Sequence, residues 1–231
     1  MAMKIILTGA TGYVGEGVLL ELLRSPEVDK VLSVSRKPTG ILNGEYPSLK
    51  ADEVAKLDEY LVDDFMRLQA GDEHFVGYDA VFFIAGITSV GAPDDVYVRI
   101  SQDIPLHFAD IMPNKEQMTF IYLSGAGTDV NGKLFWQKVK GKTEQEILKK
   151  GFRHAFAYRP AFMKWACGQK RIQAMQYLFV VFYPLMRLFG QSNTMREVAN
   201  SMIACSRYGY ERFNVEGKDI RLLAKKMNLK Q

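Results

Sequence analysis

The sequence predicts a doubly wound α/β fold, a mainly parallel sheet with helices on both faces and a small helical elaboration near the C-terminus. Three observations carry this expectation. Short apolar runs recur along the chain, helical spacings separate them, and a glycine-rich turn follows the first run. The chain has 231 residues, 48% apolar and 24% charged, enough for one sizeable core and unlike a disordered composition.

"KIILTG" reads as a buried first strand ending at Gly9, and "YVGEGVLLELLRS" spaces Val14, Val18 and Leu22 as a helix. "KVLSVSR", Lys30 to Arg36, is the second strand, closed by "KPTG". A third strand is expected near Val54 to Leu57 or Tyr60 to Val62, where helical and extended signals mix. "YDAVFFIAG" supplies the fourth strand, and "VYVRISQDIPLHFADIM" a helix despite Pro105. "MTFIYLSG" is the fifth strand, "GKTEQEILKK" the outer part of a helix, and "HAFAYRPA" the sixth strand, left at Arg159-Pro160. Right-handed crossovers between such strands favour parallel pairing over a sandwich.

Beyond residue 162, "MKWACGQKRIQAMQYLF" reads as a helix, and "TMREVANSMIACSRYG" as a stronger one, with Met195, Val198, Met202 and Cys205 on one face. A short extended piece, a Gly217 turn and a closing helix follow. One domain over 1–231 is expected, with 162–231 as a substrate-side elaboration inside it. The apolar stretch from Met175 to Phe189 has only 15 residues and contains Pro184 and Arg187, so no transmembrane segment is expected. Burial is the preferred reading there, with a membrane-surface or partner-binding face as alternatives.

Lys and Arg number 30 against 26 Asp and Glu, a dispersed charge of +4 that gives no reason to expect a nucleic-acid surface. Cys167 and Cys205 are too few for a disulfide framework, and the N-terminus does not resemble a secretory signal, so a cytoplasmic protein with reduced thiols is expected. The three histidines are dispersed, and no metal site is expected.

Gly9, Gly12 and Gly15 form G-x-x-G-x-x-G between a strand and an amphipathic helix. Gly9 permits the bend, Gly12 admits a pyrophosphate, and Gly15 lets the helix pack near the sheet. The helix start at Tyr13 and Val14 aims backbone N–H groups at phosphate oxygens, and Thr11 offers a hydroxyl. No GK[ST] follows, which argues against a phosphate-loop NTPase. A dinucleotide site on a Rossmann-like sheet is the preferred reading, and a ligand-free tight turn the alternative.

The second strand ends in "SVSRKP", with Ser35, Arg36 and Lys37 where an acidic residue would favour NAD(H). A guanidinium suits the extra phosphate of NADP(H), which is favoured; NAD(H) and a solvated basic turn remain open. Asp63 and Asp64 either border an adenine pocket or cap the next helix, the latter preferred. Ala85 and Gly86, in "FFIAGIT", are expected to let the backbone approach the cofactor, with Thr88 as a hydroxyl donor; structural packing is the alternative for Gly86 and Thr88.

"TGATGYVGEGV", "FFIAGITSVGAPDDVYVRISQD", "YLSGAGTD", "KVKGKTEQE", "YRPAF" and "VEGKDIRLLAKK" resemble, in order and over most of the chain, the atypical short-chain dehydrogenase/reductase superfamily. The similarity is greatest to its Tat-interacting oxidoreductase-like group. The resemblance implies an NAD(P)H-binding fold, Ser124 as the site serine and Lys140 as the lysine of a Tyr-x-x-x-Lys pair. Trp136 occupies the tyrosine position and has no phenolic proton to give. Trp136 packing on the nicotinamide side, a substitute acid such as Tyr122 or Tyr158, and a local misalignment all stay open.

Two functions follow: an NADP(H)-linked oxidoreductase transferring hydride to or from a small organic substrate, with Ser124 positioning oxygen and Lys140 holding ribose, or a catalytically impaired NADPH-responsive protein with a regulatory protein partner. A homodimer is compatible with an exposed helix, though no segment fixes its interface.

Overall fold

The computed structural model describes residues 2–172 and 174–228. In chain order the main elements are β1 (Met3–Thr8), α1 (Tyr13–Arg24), β2 (Val28–Ser35), α2 (Ala51–Val54), β3 (Leu57–Leu61), β4 (Ala80–Phe83), α3 (Asp94–Val98), α4 (Ile104–Ile111), β5 (Thr119–Leu123), α5 (Phe135–Leu148) and β6 (His154–Arg159). The C-terminal part adds β7 (Phe162–Lys164), α6 (Ala174–Val180), α7 (Tyr183–Leu188), β8 (Ser192–Thr194), α8 (Met195–Tyr208), β9 (Asn214–Glu216) and α9 (Gly217–Asn228). Seven strands form one sheet in the order β3-β2-β1-β4-β5-β6-β9, every neighbouring pair parallel. The doubly wound expectation is met.

Alternation along the strands sends side chains to two cores. Ile5, Leu7 and Phe82 pack with Leu19, Val198, Met202 and Ile220 from α1, α8 and α9. Ile6, Phe83 and Phe120 face the other way, against Phe108 and Ile147 from α4 and α5. A sheet buried on both faces explains why its central strands read as unbroken apolar runs.

The third strand falls at Leu57–Leu61, and Val54 belongs to the one-turn helix before it. Pro105 is accommodated because the helical run changes pitch: Arg99–Asp103 forms a π-turn, and Pro105 sits in the first turn of α4. The helix expected from Met163 does not begin there. Phe162–Lys164 pairs with Ser192–Thr194 as a two-stranded parallel sheet, and Gly168 turns the chain at φ +74°, a left-handed conformation that ends any helix.

The burial expected of Met175 to Phe189 is corrected. Side chains 175, 178 and 179 lie outside the described residues, but Tyr177, Val181, Phe182, Leu185, Leu188 and Phe189 are all more than half exposed. Apolar composition made burial favourable, but no other element of the described chain covers these positions. Among the described residues, no helix is long and apolar enough to cross a membrane.

Candidate functional site

The strand order reverses between β1 and β4, opening a crevice at the carboxyl edge of the sheet where α/β ligands generally sit. Gly9 takes φ +75°, and a Cβ there would stand 2.6 Å from the Ala85 nitrogen. A Cβ on Gly15 would stand 1.9 Å from the Gly9 oxygen. Both residues must therefore be glycine for β1, β4 and α1 to meet. Thr8 completes the junction, its hydroxyl oxygen accepting from the amides of Ile84 and Ala85 at 3.0 and 3.1 Å.

Gly12 caps α1 without a side-chain hydrogen bond, so the first-turn amides of Tyr13, Val14 and Gly15 face the crevice with no acceptor inside the helix. Their positive helix end is a ready anion site. Glu16 in the same turn is buried, and its carboxylate accepts from the amides of Lys170 and Arg171 and from the Tyr46 hydroxyl. Those bonds hold it away from a phosphate. The Tyr13 hydroxyl donates to the Met163 carbonyl, tying the start of α1 to β7.

A cavity of about 830 Å³ fills this crevice. Its wall brings together Gly9, Thr11, Gly12, Tyr13, Val14 and Gly15 from the turn, Ser35 and Arg36 after β2, Asp63 after β3, Ala85 and Gly86 after β4, and Lys140 on α5. Lys37 and Ser124 lie outside the lining set. The Ser35 hydroxyl donates to the Lys37 carbonyl at 2.7 Å and shapes the turn that presents Arg36, which is exposed and makes no hydrogen bond or ion pair among the described residues. Both aspartates line the cavity, and Asp64 also caps the short helical turn at Phe65–Arg67. The Met66 amide, and then Arg99 at 3.0 Å, hold the Asp64 carboxyl below its ordinary range.

Arg99 also lines the cavity and was not picked out from sequence, where no motif marks it. At the other end, Lys140 lies 3.3 Å from the Leu123 carbonyl and 5.4 Å from the centre of the Tyr122 ring. Desolvation lowers its ammonium from 10.5 to about 8, with Glu144 pulling the other way.

Ser124 shares a 2.9 Å hydrogen bond with the Thr128 hydroxyl, which itself donates to the Gly125 carbonyl. Trp136 is half-buried beside Gly127 and is not among the lining residues. Neither substitute acid reaches the cavity: Tyr122 donates its hydroxyl to the Ser101 carbonyl at 2.7 Å, and Tyr158 is buried in the core on the α8 side. Cys205 is likewise buried, its thiol pushed up to about 12, whereas Cys167 is exposed.

No family model matches the chain. Protein HTATIP2 of Rattus norvegicus is 25% identical over 180 residues, 78% of this chain and 70% of that protein. Protein FMP52, mitochondrial, of Meyerozyma guilliermondii is 25% identical over 162 residues, 70% of this chain and 65% of that protein, so the match spans less than two thirds of its length. Among solved structures, UDP-glucuronic acid 4-epimerase from Bacillus cereus, determined with NAD, superposes with a TM-score of 0.63 at 13% identity, covering 93% of this chain and 78% of that one.

These findings correct the cytoplasmic expectation, since the FMP52 proteins of several fungi are named mitochondrial. The cysteine argument behind that expectation separates reducing from oxidising compartments and cannot tell two reducing ones apart. Taken together, the parallel sheet, its glycine turn and these likenesses support the chain's resemblance to the atypical short-chain dehydrogenase/reductase superfamily.

Proposed function

We propose that the chain is an NADP(H)-linked oxidoreductase acting on a small organic substrate. The observation that carries this reading is one continuous cavity with an uncapped helix end and Arg36 toward one side and a desolvated Lys140 on the other. The space left by Gly9 and Gly15 fits a diphosphate against the amides of Tyr13 to Gly15. Arg36 takes the extra phosphate of NADP(H), Asp63 borders the adenine, and Ala85 and Gly86 present bare backbone.

When bound, the dinucleotide supplies the hydride. The chain has to orient the substrate oxygen and provide a proton. With Trp136 in the tyrosine position and the Tyr122 hydroxyl engaged elsewhere, the Lys140 ammonium is the proton source that this wall offers. It gives a proton to the oxygen of a carbonyl as that group is reduced, and the neutral amine is recharged from water.

The second reading, a catalytically impaired NADPH-responsive protein, rests on Trp136 and on the Ser124 hydroxyl bonded to Thr128 rather than lining the cavity. Calorimetric titration with NADPH and NADH, repeated on Arg36→Ala, tests cofactor choice. The variant should bind NADPH about tenfold more weakly and NADH nearly unchanged, through loss of a charged phosphate contact. Equal losses would remove the NADP(H) assignment, and binding of neither dinucleotide would remove both readings. Single-turnover oxidation of bound NADPH with a panel of small aldehydes and ketones separates the oxidoreductase from the binding protein.

A further inference from the structure

The hairpin of α6 and α7 places Tyr177, Val181, Phe182, Leu185, Leu188 and Phe189, each 53% to 81% exposed, within 13 residues. Single exposed apolar side chains are ordinary, but such a concentration marks an interaction surface. The surrounding charge narrows the partner. From Phe162 to Arg196 the sequence contains Lys164, Lys170, Arg171, Arg187 and Arg196 and not one Asp or Glu.

Lys164 is exposed, with its ammonium 5.6 Å from the centre of the Tyr183 ring on α7. Lys218 and Arg221, from α9, lie against Gly190 just beyond α7, and Arg221 donates to the Arg187 carbonyl at 2.7 Å. Glu197 meets the hairpin from α8, but it is spent on Arg187 in a two-pronged ion pair. The rim therefore carries net positive charge around an apolar, aromatic centre. Trp165 packs on Tyr177, with ring centres 5.0 Å apart, adding an aromatic group of the kind that favours the headgroup region.

We propose that this hairpin seats the protein on a membrane surface rich in anionic phospholipid. Its apolar side chains enter the boundary between headgroups and acyl chains, while Lys164, Lys218 and Arg221 meet lipid phosphates. The helices are too short to span a bilayer and lie in its plane. Both ends of the hairpin are anchored by the β7–β8 pair, so the patch is carried by the fold rather than by a loose tail.

Co-sedimentation of the full chain with vesicles of phosphatidylcholine alone, or containing about 30 mol% phosphatidylglycerol, tests the proposal. Binding to the anionic vesicles is expected to exceed binding to neutral ones by about tenfold and to fall at about 0.5 M salt. Leu188→Ser with Phe189→Ser should lower partitioning about tenfold without changing the melting temperature, because both side chains are exposed. Lys164→Glu with Lys218→Glu should erase the preference for anionic vesicles.

Absence of binding to either vesicle overturns the proposal. So does a concentration-dependent dimer that the Leu188 and Phe189 changes dissolve, since a second copy would then cover the patch. The readout requires neither dinucleotide nor turnover, so its outcome is independent of the oxidoreductase reading.

Discussion

The Tyr122 hydroxyl donates to the Ser101 carbonyl oxygen at 2.7 Å, and the Thr143 hydroxyl shares its one proton between that atom at 3.1 Å and the Val139 carbonyl at 2.9 Å. The cause lies four residues further on, where Pro105 has no N–H to offer that oxygen. A helix defect is thus repaired by one side chain from β5 and one from α5. Tyr122→Phe should lower stability by about 1 kcal/mol, because Thr143 still serves the carbonyl. Combined with Thr143→Val the loss should exceed the sum of the single losses, which a urea double-mutant cycle will measure.

Gly15→Ala should be far more damaging than its chemistry suggests. The added carbon would meet the Gly9 oxygen at 1.9 Å, backbone against backbone, with no flexible side chain to yield. Stability should fall by about 2 kcal/mol or more and dinucleotide affinity by at least about tenfold, read by thermal melts and calorimetry. Gly12→Ala, 3.4 Å from the same oxygen, should leave the melt nearly unchanged and weaken binding alone.

Lys140 predicts a pH signature with a definite sign. Its donor form persists below about 8, so carbonyl reduction should slow as pH rises through that value while the reverse oxidation accelerates. Lys140→Met should remove that limb and cut kcat by about a hundredfold or more. Folding follows the same linkage: the unfolded chain keeps this proton to 10.5 and the folded one only to about 8. Between those values the unfolded state binds more protons, so stability rises with pH, by at most about 3 kcal/mol. Chemical denaturation at pH 7, 8 and 9, comparing wild type with Lys140→Met, checks the slope.

The order of elements was legible because a sheet covered on both faces writes itself as apolar runs. β3 blurred that signal for a physical reason: an edge strand needs only partial cover, and "LDEYL" carries two carboxylates. The helix expected beyond Met163 failed because Gly168 turns left-handed and the amides of Lys170 and Arg171 are taken by Glu16, more than 150 residues earlier in the chain. The glycine turn and Arg36 could be read because each is contiguous. Arg99 pairing with Asp64, and Thr128 engaging Ser124, depend on contacts that only the folded chain creates.

The sheet is completed by Asn214–Glu216, a mere three residues that follow the whole β7-to-α8 segment. During synthesis, β6 emerges from the ribosome well before its outer neighbour and for that interval presents bare backbone donors and acceptors to whatever is nearby. Arg159, already gripped by Glu144 from the preceding helix, puts a cation on that waiting edge and discourages a stray strand from docking. Closure of that edge thus waits for the whole segment that separates Arg159 from Asn214.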